Sequence, residues 1–366
     1  MIPLFEHYPL LGDKLPYISL GELPTPVEKL DRLGGDIGLE HLYIKRDDLT
    51  GKVYGGNKVR KLEFLLGRAL RTRAKEVLAL GFAGSNHALA TAIYARQVGL
   101  KSISMLMPQP NAYYVRRNLL MSHYCGAELH QHRNVPSLTM GTIYQLLRHK
   151  LKHGHFPQTI TAGGSSPLGV AGFVNAAFEL KEQIMEGKMP EPDRIYVPLG
   201  TMGTAVGLTL GLKVAGLKSR VISVRVIGDK FANGIKMVKL FHETNSLLHS
   251  LDPSFPEVEF FEKDTDIRHD FLGQGYAHFT KEGMKAVTRV KKNEGIKLDG
   301  TYTGKTFAAL IDDAENQDLR DKVVLFWNTC NSRDFSDVIA TVDYRRLPRC
   351  FHRYFEQDVQ LLDRGS

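Results

Sequence analysis

The 366-residue chain is predicted to be an α/β protein built of two interleaved three-layer domains with mostly parallel sheets. Three observations carry this. Apolar runs of strand length alternate with helix-length segments in both halves of the chain. Glycine-rich turns stand where such runs give way to helices. Finally, no internal repeat, low-complexity tract or long linker separates the halves, so the domains share the chain rather than follow one another.

Residues 1–30 are read as an extended arm, because the prolines of Leu23-Pro24-Thr25-Pro26 oppose a regular helix. Leu42–Gly51 is a strand ending in the charged turn Lys45-Arg46-Asp47-Asp48. Leu62, Leu65, Leu66, Ala69 and Leu70 recur at helical spacing behind Gly55-Gly56-Asn57-Lys58, so Lys58 opens an amphipathic helix. A run of α/β units follows: strand Glu76–Gly81, helix Ser85–Val98, strand Ser102–Pro108, helix Val115–Tyr124, strand Glu128–His130 and helix Leu138–His153. In the second half a helix ends near Met185 and strand Arg194–Leu199 runs into the turn Gly200–Thr204 and another helix. Strand Arg220–Ile227, helices over 283–294 and 302–314, and the buried strand Lys322–Trp327 complete the pattern. Parallel strands joined by crossover helices are covered on both faces.

Composition narrows the function. The net charge is +8, but the 48 Lys and Arg residues are scattered, with no long basic run and no basic-aromatic interleaving. That argues against a nucleic-acid partner and allows at most a pull on small anions. Cys125, Cys330 and Cys350 stand far apart, without a CxxC or a His–Cys pair at metal spacing. Reduced thiols, no metal and a cytoplasmic setting are therefore expected. The first residues lack a basic and an apolar region of signal-peptide type, and no apolar run reaches membrane-spanning length, so no membrane partner is expected.

Chemistry concentrates in four places. Two glycines before Lys58 let backbone approach a bulky planar group, and the positive end of the helix that Lys58 opens disfavours its ammonium. A depressed pKa suits a lysine used as a nucleophilic amine. At Gly200-Thr201-Met202-Gly203-Thr204, free N–H groups and hydroxyls converge at a helix start, as in a phosphate cradle; a plain βα turn has the same pattern. Ser85-Asn86-His87 begins another helix, with polar side chains that serve either a ligand or a cap. Tyr276 and Tyr302 stand beside glycine turns. Together these parts fit a ligand with a carbonyl for the lysine, a phosphate for the helix end and a flat ring between them, which describes pyridoxal 5'-phosphate.

The motifs Leu23–Pro26, Lys45–Asp48, Gly55–Glu63, Ser85–His87, Gly200–Thr204 and Tyr302-Thr303-Gly304-Lys305, in this order, resemble the fold-type-II pyridoxal phosphate enzymes of tryptophan synthase β-like fold. Within that group the closest resemblance is to the D-cysteine desulfhydrase / 1-aminocyclopropane-1-carboxylate (ACC) deaminase family. The resemblance implies a larger cofactor-binding domain of residues 1–58 plus 161–366, a smaller domain of 59–160, and a homodimer. It implies that Lys58 holds the cofactor and shuttles the substrate α-proton, that Asn86 bonds the ring hydroxyl, and that Gly200, Thr201, Met202, Gly203 and Thr204 hold the phosphate. Ser85, Asn86 and His87 would meet the substrate, with Ser85 on its carboxylate or passing a proton, and Tyr276 and Tyr302 would act as acid/base or orienting groups. Thr303 would face the ring nitrogen where the deaminases resemble one another in having glutamate. A hydroxyl there, together with His87, favours the desulfhydrase branch and an α,β-elimination from a small amino acid such as D-cysteine. Ring-opening deamination, racemisation or β-replacement are the enzymatic alternatives, and a phosphometabolite-binding α/β protein the non-enzymatic one. The family pattern His-Thr-Gly-Gly is replaced here by Asn328-Thr329-Cys330-Asn331-Ser332-Arg333, so Asn331, Ser332 or Arg333 is expected to reshape the pocket for a different, anionic substrate.

Overall fold

The computed structural model describes residues 1–316 and 319–364. Its strands are β1 (Val27–Lys29), β2 (Leu42–Lys45), β3 (Glu76–Phe82), β4 (Lys101–Met107), β5 (Glu128–Gln131), β6 (Gln158–Ile160), β7 (Arg194–Leu199), β8 (Arg220–Arg225), β9 (Asp266–Arg268) and β10 (Val324–Trp327). The longer helices are α1 (Lys58–Arg71), α2 (Asn86–Gln97), α3 (Tyr113–Tyr124), α4 (Val135–His153), α5 (Pro167–Met185), α6 (Gly203–Ala215), α7 (Gly234–Leu251), α8 (Lys281–Glu294) and α9 (Thr303–Asn316).

Two sheets organise the molecule. The larger has the order β1-β2-β10-β7-β8-β9 and the smaller β5-β4-β3-β6. All pairings are parallel except β1 with β2. The chain enters the larger sheet, leaves to build the smaller one, and returns, with β10 inserted between β2 and β7. Helices α5 and α6, rich in Ala, Val, Leu and Phe, are buried between the larger sheet and α1 and α7. Helix α1 packs along α5. No helix among the described residues is long and apolar enough to cross a membrane.

The N-terminal arm departs from the expected extended form. Pro3–His7 and Pro9–Lys14 are short helices, each with proline at its first position, where a missing N–H costs nothing. Helix α7 and strands β1, β6 and β9 are further additions to the sequence reading. The three strands are three residues each, too short for a periodic signal. At the other end of the chain Leu347, Phe351 and Tyr354 share a core with Ala83, Leu106, Val115, Leu119 and Leu129 of the smaller-sheet unit.

Candidate active site

The ends of β3 and β7 open onto one cavity of about 430 Å³ between the two sheets, in the crevice beyond the carboxyl ends of parallel strands. Lys58, Ser85, Asn86, His87, Gly200, Thr201, Met202, Gly203, Thr204, Tyr276 and Tyr302 all line it. Segments more than 200 residues apart in sequence thus face one space.

Lys58 is seated by its glycines. Gly56 has φ of +95°, and a Cβ there would stand 2.8 Å from the Thr329 carbonyl and 2.9 Å from that of Cys330. Only glycine allows the loop to run this close to the end of β10. The Gly55 N–H donates to Asn331 Oδ1 at 2.7 Å, and the Asn57 N–H to the Thr329 carbonyl at 3.3 Å. Enclosed at the start of α1, the Lys58 amine has its pKa lowered to about 8, and the cause is burial.

The turn after β7 forms an anion cradle. Met202 takes a left-handed conformation, φ +66°, that aims the first turn of α6 at the cavity. Ser165 Oγ lies 2.8 Å from Thr201 Oγ1 and accepts the Gly203 N–H at 3.2 Å. Asn57 Nδ2 donates to Thr204 Oγ1 at 3.0 Å, tying the cradle to the lysine loop. Lys61, one turn beyond Lys58, donates to Ser165 Oγ at 3.0 Å and to the Gly163 carbonyl at 3.3 Å. Burial, and then the charge of Lys58, hold its pKa well below the usual lysine value. A bound anion would restore its charge. A Cβ at Gly203 would lie 2.6 Å from Ser165 Oγ and 2.7 Å from Lys61 Nζ, so only glycine lets these two polar groups stand against the start of α6.

Opposite the cradle, the Ser85 hydroxyl caps α2 by accepting the Ala88 N–H at 3.2 Å. Asn86 Oδ1 accepts from Asn118 Nδ2 at 3.0 Å, which fixes the orientation of its amide. His87 is buried and lies at the cavity wall, and among the described residues neither ring nitrogen meets hydrogen-bond geometry with a partner. Burial and then the two lysines hold its pKa well below the ordinary value, so it is neutral; a Thr161 backbone group pulls weakly the other way. Tyr276 and Tyr302 share a hydrogen bond of 2.6 Å between hydroxyls, and burial raises both pKa values, keeping the pair protonated. Phe82 packs against Tyr276 with ring centroids 4.5 Å apart.

Thr303 lies behind the wall. It is fully buried, and its hydroxyl is within 2.9 Å of Asp299 Oδ2 and accepts the Asp299 N–H at 2.8 Å. Asp299 is the carboxylate at the cavity surface, with Oδ1 accepting the N–H groups of Thr301 and Tyr302 at 2.9 and 2.6 Å. The expectation for the segment after β10 is corrected: Asn331, Ser332 and Arg333 do not line the cavity. Asn331 holds Gly55; Ser332 Oγ donates to Asp48 Oδ2 at 2.6 Å, and Arg333 Nε to the Gly51 carbonyl at 2.7 Å. These bulky polar groups brace the lysine loop from outside, and only Thr329 of this stretch reaches the cavity.

Sequence reasoning passed over Lys61, Asn57, Ser165 and Asp299. Lys61 had a legible signal: a lysine three residues after Lys58 shares its helical face. Ser165 had none, since its partner turn lies 36 residues away.

The donor set fits pyridoxal phosphate. A half-buried lysine with a depressed pKa faces a helix end that carries hydroxyls and a second, buried amine, across a space sized for a small ring. With the two-sheet crossover topology, this defines a fold-type-II pyridoxal phosphate enzyme. The chain belongs to the pyridoxal-phosphate dependent enzyme family, whose model matches residues 18–329. It is 34% identical over 314 residues to a putative 1-aminocyclopropane-1-carboxylate deaminase of Pyrococcus horikoshii, covering 85% of this chain and 90% of that protein. It is 32% identical over 323 residues to the D-cysteine desulfhydrase of Klebsiella pneumoniae, covering 86% and 94%. The solved structure of an ACC deaminase homologue superposes with a TM-score of 0.76 at 32% identity, covering 93% of this chain and 98% of the other.

Proposed function

We propose that the protein catalyses α,β-elimination from a small β-substituted amino acid, D-cysteine or a close analogue, yielding the β-leaving group, pyruvate and ammonia. The observation that carries this is Lys58, a half-buried lysine whose amine has its pKa lowered to about 8, set in one cavity with the cradle at Gly200–Thr204. In this reading Lys58 holds the cofactor through its carbonyl. The N–H groups and hydroxyls of Gly200, Thr201, Met202, Gly203 and Thr204, with Ser165 and Lys61, hold the phosphate. The amide of Asn86, oriented by Asn118, meets the ring hydroxyl. When bound, the cofactor supplies an electron sink for the charge left at the substrate α-carbon.

The chain's own groups do the rest. Ser85 and the neutral His87 meet the substrate at the mouth of α2, where the N–H groups of a helix start favour a carboxylate. The Lys58 amine would accept the substrate α-proton. The protonated Tyr276–Tyr302 pair donates toward the departing β-group, and Phe82 keeps water from that side. The enamine product hydrolyses to pyruvate and ammonia. Threonine at position 303, expected beside the ring nitrogen, instead lies behind the wall bonded to Asp299, so the preference for elimination over ring opening rests on the resemblance to the desulfhydrases and not on a contact of Thr303. The two-domain division of 1–58 with 161–366 against 59–160, a homodimeric assembly and a cytoplasmic setting belong to the same proposal.

The test combines colour and product. The purified protein should be yellow, its visible band should vanish on borohydride reduction, and Lys58→Ala should lose both the band and all turnover. D-cysteine should give sulfide and pyruvate in equal amounts. Formation of 2-oxobutanoate from aminocyclopropane carboxylate, with D-cysteine inert, would overturn the elimination in favour of ring opening.

A further inference from the structure

We propose that Glu76, His149 and His153 form a binding site for a divalent transition-metal ion of the zinc class. The trio lies at the end of the smaller sheet remote from the cavity. Glu76 is the first residue of β3, while His149 and His153 stand one turn apart on one face of α4 near its C-terminus. One ligand atom from each lies within 4.8 Å of the others. His149 Nδ1 is 2.8 Å from Glu76 Oε2, and His153 Nε2 is 3.7 Å from Glu76 Oε1. Ligand atoms about 2.1 Å from a tetrahedral zinc are separated by roughly 3.4 Å, so a small relaxation accommodates the ion.

Four features favour an ion over a simple ion pair. The Glu76 and His149 side chains are only 3% and 5% exposed, so two charged or polar groups have been withdrawn from water to this point. Both oxygens of Glu76 are approached by an imidazole nitrogen, one from His149 and one from His153, so three ligand-type atoms converge on one point. Next, the second nitrogen of His149 is buried without a hydrogen bond in proper geometry, yet stands 3.3 Å from Glu128 Oε2. That is the outer carboxylate that orients a metal-bound histidine and raises its basicity. Glu128 is itself held by Arg148 and by His130 Nε2 at 2.8 Å. Lastly, the carbonyl end of α4 favours a cation. Two nitrogens and a carboxylate select zinc and its neighbours over calcium or magnesium, which take oxygen ligands. His153, 28% exposed, leaves an entry path and a position for water. The absence of metal-type cysteine spacing says nothing about such a set, because no cysteine takes part.

The placement has a consequence for the cavity. Both elements that the ion would join reach it at their other ends, β3 through Leu80–Phe82 and α4 through Val135 and Leu138. The ion would fasten the outer helix of the smaller unit to its central strand.

The experiment uses the cofactor-loaded protein, stripped with chelator, and zinc ion alone in a non-coordinating buffer. One equivalent of zinc should bind, and at about 100 times the Kd it should raise the unfolding midpoint by roughly 4 °C. His153→Ala should abolish both effects while keeping the unfolding profile of the stripped protein, and Glu128→Gln should weaken binding about 10- to 100-fold. Cobalt(II) should give visible bands of a tetrahedral nitrogen–oxygen site that His149→Ala removes. The inference is overturned if the stripped protein takes up no stoichiometric zinc, if His153→Ala binds it unchanged, or if Cys125→Ser with Cys350→Ser eliminates the binding.

Discussion

At the scale of single residues, the protein works by withdrawing amines from water. Lys58 was expected to owe its reactivity to the helix dipole; burial is the cause found. The distinction has a measurable sign. A folded-state pKa of about 8, below the ordinary 10.5, means that the reactive neutral amine is already prevalent just above pH 8. Reconstitution of the cofactor-free protein with pyridoxal phosphate should therefore quicken by about tenfold per pH unit up to pH 8 and level off beyond it. Stopped-flow absorbance across pH 6 to 11 checks this, and a rate still climbing towards the free-lysine value would contradict it. Lys61 is the complementary case. Its amine is buried with no carboxylate partner among the described residues, held by Ser165 and a carbonyl, in the way a group is poised for an incoming anion.

Among elements, the motifs that look most chemical prove to be structural. The charged turn after β2 and the arginine of α1 build a buried ion network: Arg60 donates to both oxygens of Asp47 at 2.8 to 3.1 Å, and to Glu179 of α5 at 2.8 and 2.9 Å. Lys45 Nζ reaches Glu179 at 2.6 Å, and the indole N–H of Trp327 donates to Asp47 at 2.7 Å. Burial pushes the Glu179 carboxyl upward, but Arg60 and Lys45 overcome it and hold it below the usual range. Through Thr25, whose hydroxyl donates to Asp47 Oδ1 at 2.9 Å and accepts from Arg60 at 3.0 Å, this network joins the N-terminal arm, β2, α1, α5 and β10. Removing one partner leaves an uncompensated buried charge, so Arg60→Ala should cost about 3 to 5 kcal/mol in chemical denaturation. Arg60→Lys should recover little of that, because it cannot bond both carboxylates at once. A loss below 1 kcal/mol would show the network to be dispensable. The lysine helix, the Gly200–Thr204 turn and the alternation of strands and helices were legible in sequence because each is a local pattern. The division of labour between Lys58, which faces the cavity, and Arg60, which faces the core, was not, since it depends on what α5 and β10 bring against α1. For the same reason Asn331 and Arg333 read as pocket residues when they are braces.

For the molecule as a whole, the question is how two units are kept in register across a cavity that both line. The last part of the chain answers it. Asn111 Nδ2 and Arg116 donate to the carbonyls of Tyr354 and Gln357, which fastens the segment after residue 343 to the smaller-sheet unit. From there Gln360 reaches across: its Oε1 accepts the Phe279 N–H at 2.7 Å and its Nε2 donates to the Ala277 carbonyl at 3.1 Å. Those residues follow Tyr276 in a loop where Gly275 and Ala277 have φ of +138° and +63°. Lys305, the last residue of the Tyr302–Lys305 motif, secures the same loop from the larger unit by donating to the Leu272 and Gly275 carbonyls at 2.7 and 3.3 Å. Tyr276 thus sits between Gly275 and a strained Ala277, in a loop held by contacts from both sides. Each hydrogen bond from Gln360 contributes about 1 kcal/mol, small against the stability of the chain but comparable with a several-fold rate effect. Gln360→Ala should accordingly leave the unfolding midpoint within a few degrees of the parent. Loss of about 1 kcal/mol of positioning at Tyr276 should lower kcat for sulfide release roughly 5-fold, with cofactor binding unchanged. Parallel measurement of kcat, unfolding and the cofactor absorbance separates this from general loosening: a fall in the midpoint with unchanged kcat would make Gln360 a mere packing residue.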